Sequence, residues 1–353
     1  MVRRAVRPFL ARTLLLLLST GVCLLGLELV LRAWPMLLGD VFANGVLSKY
    51  HTRSGGIYYR DRRLRMHFMI PNLKTQMYYN RYVWTHESDA YGLRNRETSI
   101  PADIVLLGDS YIYGHGVDFE ATVGHFLGQL TGLSVANLAR QGDSAFQEAY
   151  LLTEYVAVFR PRFVFYVFSE NDIPDLGAFL TREQMQAFVD MPLEAVRYPP
   201  RVELKLALSE RDEQLRSRSL IRRIRESSYV FKAVRWLKWR LGVGPALAAP
   251  PSDEAADRES TLAWRYTKKA IAYMQYVATK HGAQLVIAPI TPFSTHDHKR
   301  LREIAAEYGL PFLDTSALTS ADASLWLPRD GHLSPEGARR FAEILAAYAR
   351  RQK

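Results

Sequence analysis

Residues 103–118 read DIVLLGDSYIYGHGVD, and the fold turns on how the first half of this stretch ends. The apolar run Ile104–Leu107 meets Gly108, and Asp109 and Ser110 follow at once. A short β-branched and leucine-rich run bounded by glycine predicts a buried strand. A serine directly behind it is either the cap of the next helix or a nucleophile set at the strand's carboxyl end.

Working outward, the same kind of run recurs at 133–139, 162–168, 283–290 and 310–315. Stretches of helical period lie between them at 119–130, 144–158, 260–281 and 296–308. A last helix over 335–350 is opened by Ser334 as N-cap and Pro335 at the first helical position. Strand–helix alternation at this spacing calls for right-handed crossovers, and the near-continuous apolar strands call for cover on both faces. The expectation is a three-layer α/β/α sandwich around a five-stranded parallel sheet, occupying residues 101–353. One segment breaks the rhythm: residues 175–258 separate the third and fourth strands by far more than a crossover helix needs, so they read as an insertion. Its end, GVGPALAAPPSDEAAD (242–257), has the composition of a flexible connection. Residues 35–100, rich in Tyr, Arg and Asn, read as a lead-in of irregular structure with a few short strands.

The charge is not spread evenly. The chain has 353 residues and a formal charge of +10, with 48% apolar and 12% aromatic residues, ample for a core. Arg3, Arg4, Arg7 and Arg12 stand before Thr13 without an acid, and between Arg201 and Arg240 twelve Lys/Arg face five Asp/Glu. The rest is close to neutral. No zinc knuckle, RNP motif or basic region with heptads is visible to use the charge, so no nucleic-acid partner is expected.

The first cluster flanks TLLLLLSTGVCLLGLELVL (13–31), an apolar run that approaches the ~30 Å hydrocarbon thickness at helical rise. We read 13–34 as a membrane-spanning anchor, 1–12 as a cytoplasmic tail, and the remainder as extracytoplasmic, because the arginines lie on the N-terminal side. No A-x-A-like cleavage site follows the run, and Arg32, Trp34 and Pro35 mark an interfacial boundary, so an uncleaved anchor is preferred to a signal peptide. Glu28 falls near the outer end of the span, where a carboxyl is tolerated without a functional role. Cys23 is the only cysteine, which rules out an intramolecular disulfide or a cysteine metal site, and its neighbours Thr20 and Val22 do not make a lipidation signal.

Ligands of an open parallel sheet bind beyond the carboxyl ends of its strands. The segments that leave those ends carry Asp109-Ser110, then Gly142, then Asn171, and finally Asp330 and His332 ahead of the last helix. This set meets the needs of acyl transfer. Ser110 would be the nucleophile and His332 the base that takes its proton, with Asp330 two residues earlier fixing the imidazole tautomer. Donors for the oxyanion would be the backbone N–H of Ser110 and of Gly142 and the side-chain amide of Asn171.

GDS, Gly142, END (170–172) and DGHLSPEG (330–337), in this order, resemble the blocks of the SGNH hydrolases, also called the GDSL esterase/lipase family. SDAYGLRN (88–95) is similar to the lead-in of membrane-anchored bacterial members. The resemblance covers residues 88–353 apart from the insertion. It implies the flavodoxin-like SGNH fold, with Ser110 as nucleophile, Gly142 and Asn171 as oxyanion donors and His332 as base. Two positions depart from the pattern. Ser169 stands where a glycine is usual, and Arg329 occupies the usual place of the acid, leaving Asp330 to act from a D-x-H spacing. The sequence around Ser110 lacks the G-x-S-x-G elbow of the α/β-hydrolases.

Other polar residues have simpler roles. Asp109 and Asp172 read as loop-building aspartates, and Asp314 as structural, though it is the spare candidate for orienting His332. His115, His296 and His298 lack a third ligand at convincing spacing and read as solvated loop or cap histidines, Gly114 and Gly116 as turn residues, so neither a metal nor a cofactor is expected. In SSYVFKAVRWLKWRL (227–241), Val230, Val234, Leu237 and Leu241 share one face while Lys232, Arg235, Lys238 and Arg240 fill much of the rest. Such a helix could lie on an anionic membrane surface, cover the catalytic rim, bind an acidic glycan, or pack its apolar stripe on the domain with solvated charges opposite.

The sequence therefore predicts a membrane-anchored, extracytoplasmic serine esterase acting on O-acyl, chiefly O-acetyl, groups of carbohydrate. An O-acyltransferase with the same site and a lipid or thioester esterase are the enzyme alternatives. A non-catalytic glycan-binding or polysaccharide assembly component is the alternative from another class.

Overall fold

The computed structural model describes residues 2–49, 56–241, 253–292 and 294–352. The 242–252 part of the expected connection lies outside the described residues. In chain order the helices Val2–Ala33 (α1) and Asp40–Leu47 (α2) are followed by strands Tyr58–Asp61 (β1), Met66–Met69 (β2), Lys74–Tyr79 (β3) and Tyr82–Glu87 (β4). Next come Ile104–Leu107 (β5), Ser110–Tyr113 (α3), Val123–Thr131 (α4), Val135–Asn137 (β6), Ala145–Phe159 (α5) and Phe163–Tyr166 (β7). The insertion supplies Asp172–Phe179 (α6), Arg182–Asp190 (α7), Leu204–Arg216 (α8), Leu220–Ser227 (α9) and Tyr229–Arg240 (α10). The chain closes with Asp253–Lys280 (α11), Gln284–Ile287 (β8), Thr295–Glu307 (α12) and Pro335–Arg351 (α13).

The chain divides into two compact units. Of the described residues, one holds those within 1–49, 78–81 and 212–249, the other those within 50–77, 82–211 and 250–353.

The larger unit contains a parallel sheet in the order β6-β5-β7-β8. The strand that leads to Ser110 is thus central, and the next two strands flank it. Residues of β5, β7 and β8 alternate between two covered faces. Val105, Leu107, Val164, Tyr166, Leu285 and Ile287 share a core cluster with residues of α5, α11 and α12. On the other face Leu106 and Val135 meet α4 at Gly124, and Phe163 and Phe165 pack edge-on against Tyr348 of α13. This is the expected three-layer sandwich. Each large aliphatic side chain so buried is worth roughly 1.5–3 kcal/mol, and every residue of β5 and β7 is buried.

The expected fifth strand over 310–315 is reduced. Among the described residues the sheet has four strands, and the fifth segment contributes one parallel bridge, Phe312 to Ile287. The Ile287 N–H donates to the Pro311 carbonyl and the Leu313 N–H donates to the Ile287 carbonyl, but Pro311 has no N–H with which to extend the ladder, and Asp314 turns the chain away by accepting from the Ser316 N–H.

Two further differences lie outside the sheet. The lead-in is more ordered than its composition suggests, folding into the hairpins β1–β2 and β3–β4. The β3–β4 turn carries φ of 45° at Asn80 and 71° at Arg81, a two-residue loop with both central residues left-handed. In addition, helix 119–130 is split by Thr122, whose hydroxyl accepts from the His125 N–H and restarts the helix as α4.

In the smaller unit α1 is one continuous helix whose apolar part is Ala11–Ala33, with a mean hydropathy of 2.4. Its 23 residues span about 34 Å at helical rise, enough for a hydrocarbon core.

Candidate active site

Ser110 is the first residue of α3, directly past the end of β5. Asp109 caps that short helix by accepting from the Tyr111 N–H at 3.0 Å. Its buried carboxyl also accepts from Ser169 Oγ at 2.9 Å and from Asn171 Nδ2 at 3.0 Å. Asp109 therefore joins the loops after β5 and β7, a wider role than the loop-building one read from sequence. Ser169, in place of the usual glycine, supplies one of the links.

His332 arrives from the far end of the chain. Its Nε2 lies 2.7 Å from Ser110 Oγ, and its Nδ1 is hydrogen-bonded to Asp330 Oδ1. Asp330 is nearly inaccessible while His332 keeps an open edge, with side-chain exposures of 1% and 20%. The D-x-H spacing works because of how 327–332 folds. The N–H groups of Asp330 and Gly331 both donate to the Leu327 carbonyl, the Leu327 N–H donates back to the His332 carbonyl, and Gly331 takes a left-handed φ of 81°. Two side chains separated by one left-handed glycine thereby point at each other. Arg329 is exposed beside them. Asp314, the spare candidate, is instead engaged at the α12 edge by Arg302, with His298 3.7 Å away.

His115 is not the solvated histidine that the sequence suggested. It is buried, and its ring stacks on that of His332 at 4.2 Å between centroids and 16° between planes. Its Nε2 is 3.7 Å from Asp330 Oδ2, its Nδ1 is 3.3 Å from Gln141 Nε2, and Trp84 covers it at 4.8 Å. Burial first, and the neighbouring His332 second, push its pKa down to about 3, so the ring is neutral. Gly116 (φ 82°) lets the loop come close enough that a Cβ there would sit 2.5 Å from Leu327 Cδ1. The carrying loop is clamped by Arg94, whose guanidinium donates to the carbonyls of Tyr113 and Val117 at 2.7 Å and stacks on the Tyr113 ring. No local pattern announces this arrangement; the paired glycines of GHG were the one available signal.

The 88–95 lead-in has a related task. Asn95 bonds the backbone of Asn137 at both ends of its amide, and Asn137 Nδ2 donates to the Ile112 carbonyl at 2.8 Å. It fixes the first and second loops to each other.

The oxyanion candidates are placed as follows. The Ser110 N–H belongs to the first turn of α3, where helix amides lack intrahelical partners. Gly142 lies in the loop between β6 and α5, open on its Cβ side, beside Gln141, which Tyr58 Oη holds at 2.8 Å. Asn171 points its Nδ2 hydrogens at Asp109 Oδ2 and at Asp175 Oδ2 (2.9 Å). In this state both amide hydrogens are committed to carboxyl groups.

Behind the site lies a group of buried acids. Among the described residues neither carboxyl oxygen of Glu148 has a hydrogen-bond partner, nor does Asp172 Oδ1. Burial first, and then the neighbouring carboxyl groups, Asp143 and Asp109 for Glu148 and Glu148 and Asp109 for Asp172, raise both pKa values well above the usual range, which keeps the two groups neutral. His115, Asp330 and His332 each offer a donor atom within 4.8 Å of the others and are the group that could hold a metal ion among the described residues. Two of these three already form the relay to Ser110.

A hydroxyl, an imidazole and a carboxyl in serial hydrogen bonds, at the carboxyl end of the central strand, form a site for nucleophilic attack on an ester carbonyl. No family model and no curated relative matches the chain. Among solved structures it is similar to a lipolytic protein of the G-D-S-L family from Desulfitobacterium hafniense, with 16% identity over 69% of this chain and 97% of that one and a TM-score of 0.38. It is also similar to the lipase/acylhydrolase from Enterococcus faecalis (11% identity, 70% and 95% covered, TM-score 0.38). A third is the Clostridium thermocellum family 3 carbohydrate esterase (16% identity, 70% and 94% covered, TM-score 0.36). At these similarities the assignment rests on the site itself.

Proposed function

We propose that this chain is a membrane-anchored serine ester hydrolase of the SGNH type that removes O-acyl, chiefly O-acetyl, groups from extracytoplasmic carbohydrate. The observation that carries the reading is the 2.7 Å contact of His332 Nε2 with Ser110 Oγ, made across 222 residues of sequence, with Asp330 on the other ring nitrogen.

As Ser110 Oγ attacks the ester carbonyl, its proton passes to His332 Nε2, and Asp330 stabilises the imidazolium through Nδ1–H. The N–H groups of Ser110 and Gly142 and the Asn171 amide receive the oxyanion, for which Asn171 exchanges one of its two carboxyl contacts. His332 then protonates the leaving alkoxide, which departs as the alcohol. Water, deprotonated by the same imidazole, attacks the acyl-serine; the tetrahedral intermediate collapses, releasing the carboxylic acid and restoring the Ser110 hydroxyl.

The anchor reading is supported by the length and exposure of the apolar α1. Arginines on its N-terminal side favour a cytoplasmic tail (1–12), a single span (13–34) and a catalytic domain (101–353) in the periplasm, preceded by the 35–100 lead-in. The partners are then the lipid around α1 and an acylated carbohydrate. Incubation of the detergent-solubilised full chain with a chromogenic acetyl ester, with and without an oligosaccharide acceptor, tests the reaction. Free acetate as the main product supports the hydrolase, acetylated sugar would assign the transferase, and no turnover by folded protein would assign a binding component.

A further inference from the structure

Near the end of α1 the residues Glu28 and Arg32 form an ion pair at 2.7 Å. Arg32 Nη2 donates to the carbonyl of Ser227, the last residue of α9, at 2.8 Å. The Glu28 carboxyl accepts from Ser228 Oγ (2.9 Å), the Tyr229 N–H (3.0 Å) and the Val230 N–H (2.9 Å), the first groups of α10. A base thus faces the C-terminus of one helix and an acid the N-terminus of the next, the favourable sense for both dipoles. Glu28 is therefore more than a tolerated polar residue. With Arg32 it fastens the α9–α10 elbow to α1, about 8 Å along the helix axis before the apolar stretch ends at Ala33.

The elbow leaves apolar faces uncovered. Tyr229 and Trp236 of α10 pack edge-on against Phe42 of α2. The stripe that the sequence singled out is a different face, and Val234, Leu237 and Leu241 on it are exposed. On α9, Leu220 (71%), Ile221 (70%) and Ile224 (56%) occupy one arc, with Arg222, Arg223 and Arg225 on the remainder. Trp34 and Leu37, just past α1, are exposed in the same unit. Aliphatic side chains on one arc with arginines on the other are the composition of a helix lying in a headgroup layer. The position of the clamp puts the elbow at that depth.

We propose that α9 and α10 form an interfacial shelf that seats on the anionic lipid surface of the membrane α1 spans, with its aliphatic faces entering the acyl boundary and its arginines meeting lipid phosphates. The inference rests on α1 remaining as an uncleaved anchor.

The test uses the full chain carrying Cys23→Ser, which removes its one cysteine, and either Ile221→Cys or Leu237→Cys, with Arg339→Cys on the solvent face of α13 as reference. The chains carry an environment-sensitive nitrobenzoxadiazole label and are reconstituted into phosphatidylcholine liposomes with or without phosphatidylglycerol. With phosphatidylglycerol, labels at 221 and 237 should be quenched by spin-labelled lipid and protected from aqueous acrylamide at least about threefold more than the label at 339. The triple substitution Arg222→Gln, Arg223→Gln, Arg225→Gln should remove the dependence on anionic lipid. Labels at 221 and 237 as accessible as that at 339 in both liposomes would overturn the shelf. So would protection that appears only when a soluble acidic polysaccharide is added to phosphatidylcholine liposomes, which would assign the surface to a glycan. Intact mass separates the two premises. A soluble chain lacking about 33 N-terminal residues defeats the anchor and the shelf together, whereas an intact, membrane-bound chain with accessible labels defeats the shelf alone.

Discussion

The two units use polar groups in opposite ways. Around Ser110 the polar side chains are buried and each answers to another: Asp109 to Ser169 and Asn171, Asp330 to His332, Arg94 to the carbonyls of the His115 loop. Around α1 the aliphatic residues are outside, and a carboxyl–guanidinium clamp and the packing of Phe42 on Tyr229 and Trp236 hold the elbow. A buried polar network has low tolerance for error because an unpartnered group costs about 1–3 kcal/mol. An apolar surface suited to lipid has few such constraints. Changes in the first unit should therefore act on catalysis sharply, and changes in the second on membrane seating with little catalytic effect.

The largest effects should come from the relay. Ser110→Ala or His332→Ala is expected to lower kcat on a soluble acetyl ester by a factor on the order of 10⁴–10⁶, and Asp330→Asn by roughly 10³–10⁴. A mild loss in Asp330→Asn would show that another group orients the imidazole. Asn171→Ala should cost about 10²–10³ in kcat with KM little changed, because the amide is needed only once the oxyanion forms. An effect confined to KM would place Asn171 in substrate binding instead.

Gly116→Ala tests the packing under the histidine loop. Its Cβ would press on Leu327, and a φ of 82° is strained for alanine, so a stability loss of about 1–3 kcal/mol is expected in chemical unfolding. Next is pH. The buried His115 is neutral down to about 3, and His86, buried beside the Arg94 charge, likewise. Unfolded, each titrates near ~6.5, so between these values the unfolded chain binds the extra protons. Their contribution is complete above about 6.5 and declines as pH falls, by up to roughly 1.4 kcal/mol per pH unit and group. Comparing the unfolding of solubilised wild-type and His115→Phe chains at pH 7 and 4.5 isolates the His115 part, because the buried acids act equally in both: from pH 4.5 to 7 the variant should gain less stability than wild type, by up to roughly 1.4 kcal/mol per pH unit; an unchanged pH dependence would mean that His115 is not the buried neutral ring described. Glu148 and Asp172 have the opposite sign, since their raised values make stability fall as pH rises through them. Glu148→Gln should relieve its share of that loss, which begins above the ordinary carboxyl value of about 4.3.

The smallest effect is expected from Glu28→Gln, which keeps an acceptor for α10 but weakens the clamp by about 1 kcal/mol. Hydrogen exchange should rise at Tyr229 and Val230 while acetyl-ester turnover is unchanged. A large catalytic loss would erase the contrast between the two units.

Local pattern carried the sheet and helices where it dominates. The buried runs of β5, β7 and β8, the capping box of Ser144 and Gln147, and the Ser334-Pro335 start of α13 are periodic or propensity-driven features. The order of the blocks also sufficed to nominate Ser110, Gly142, Asn171, Asp330 and His332. What remained hidden was non-local. His115 stacks on His332 because loops 217 residues apart meet, and Ser169 bonds Asp109 across 60 residues. Nothing in GHG or in SEND reports those partners. The fifth strand was overread because Pro311 sits within an otherwise strand-like run. The partners of Glu28 were equally hidden, because the N-terminus it holds belongs to a helix 200 residues away.

The most direct test of the account is covalent. The full chain in native membranes, treated with a fluorophosphonate, should gain one adduct on the peptide carrying Ser110, with labelling absent in Ser110→Ala and strongly slowed in His332→Ala. Labelling that persists in Ser110→Ala, or a folded wild-type chain that hydrolyses acetyl esters while Ser110 stays unmodified, would contradict it.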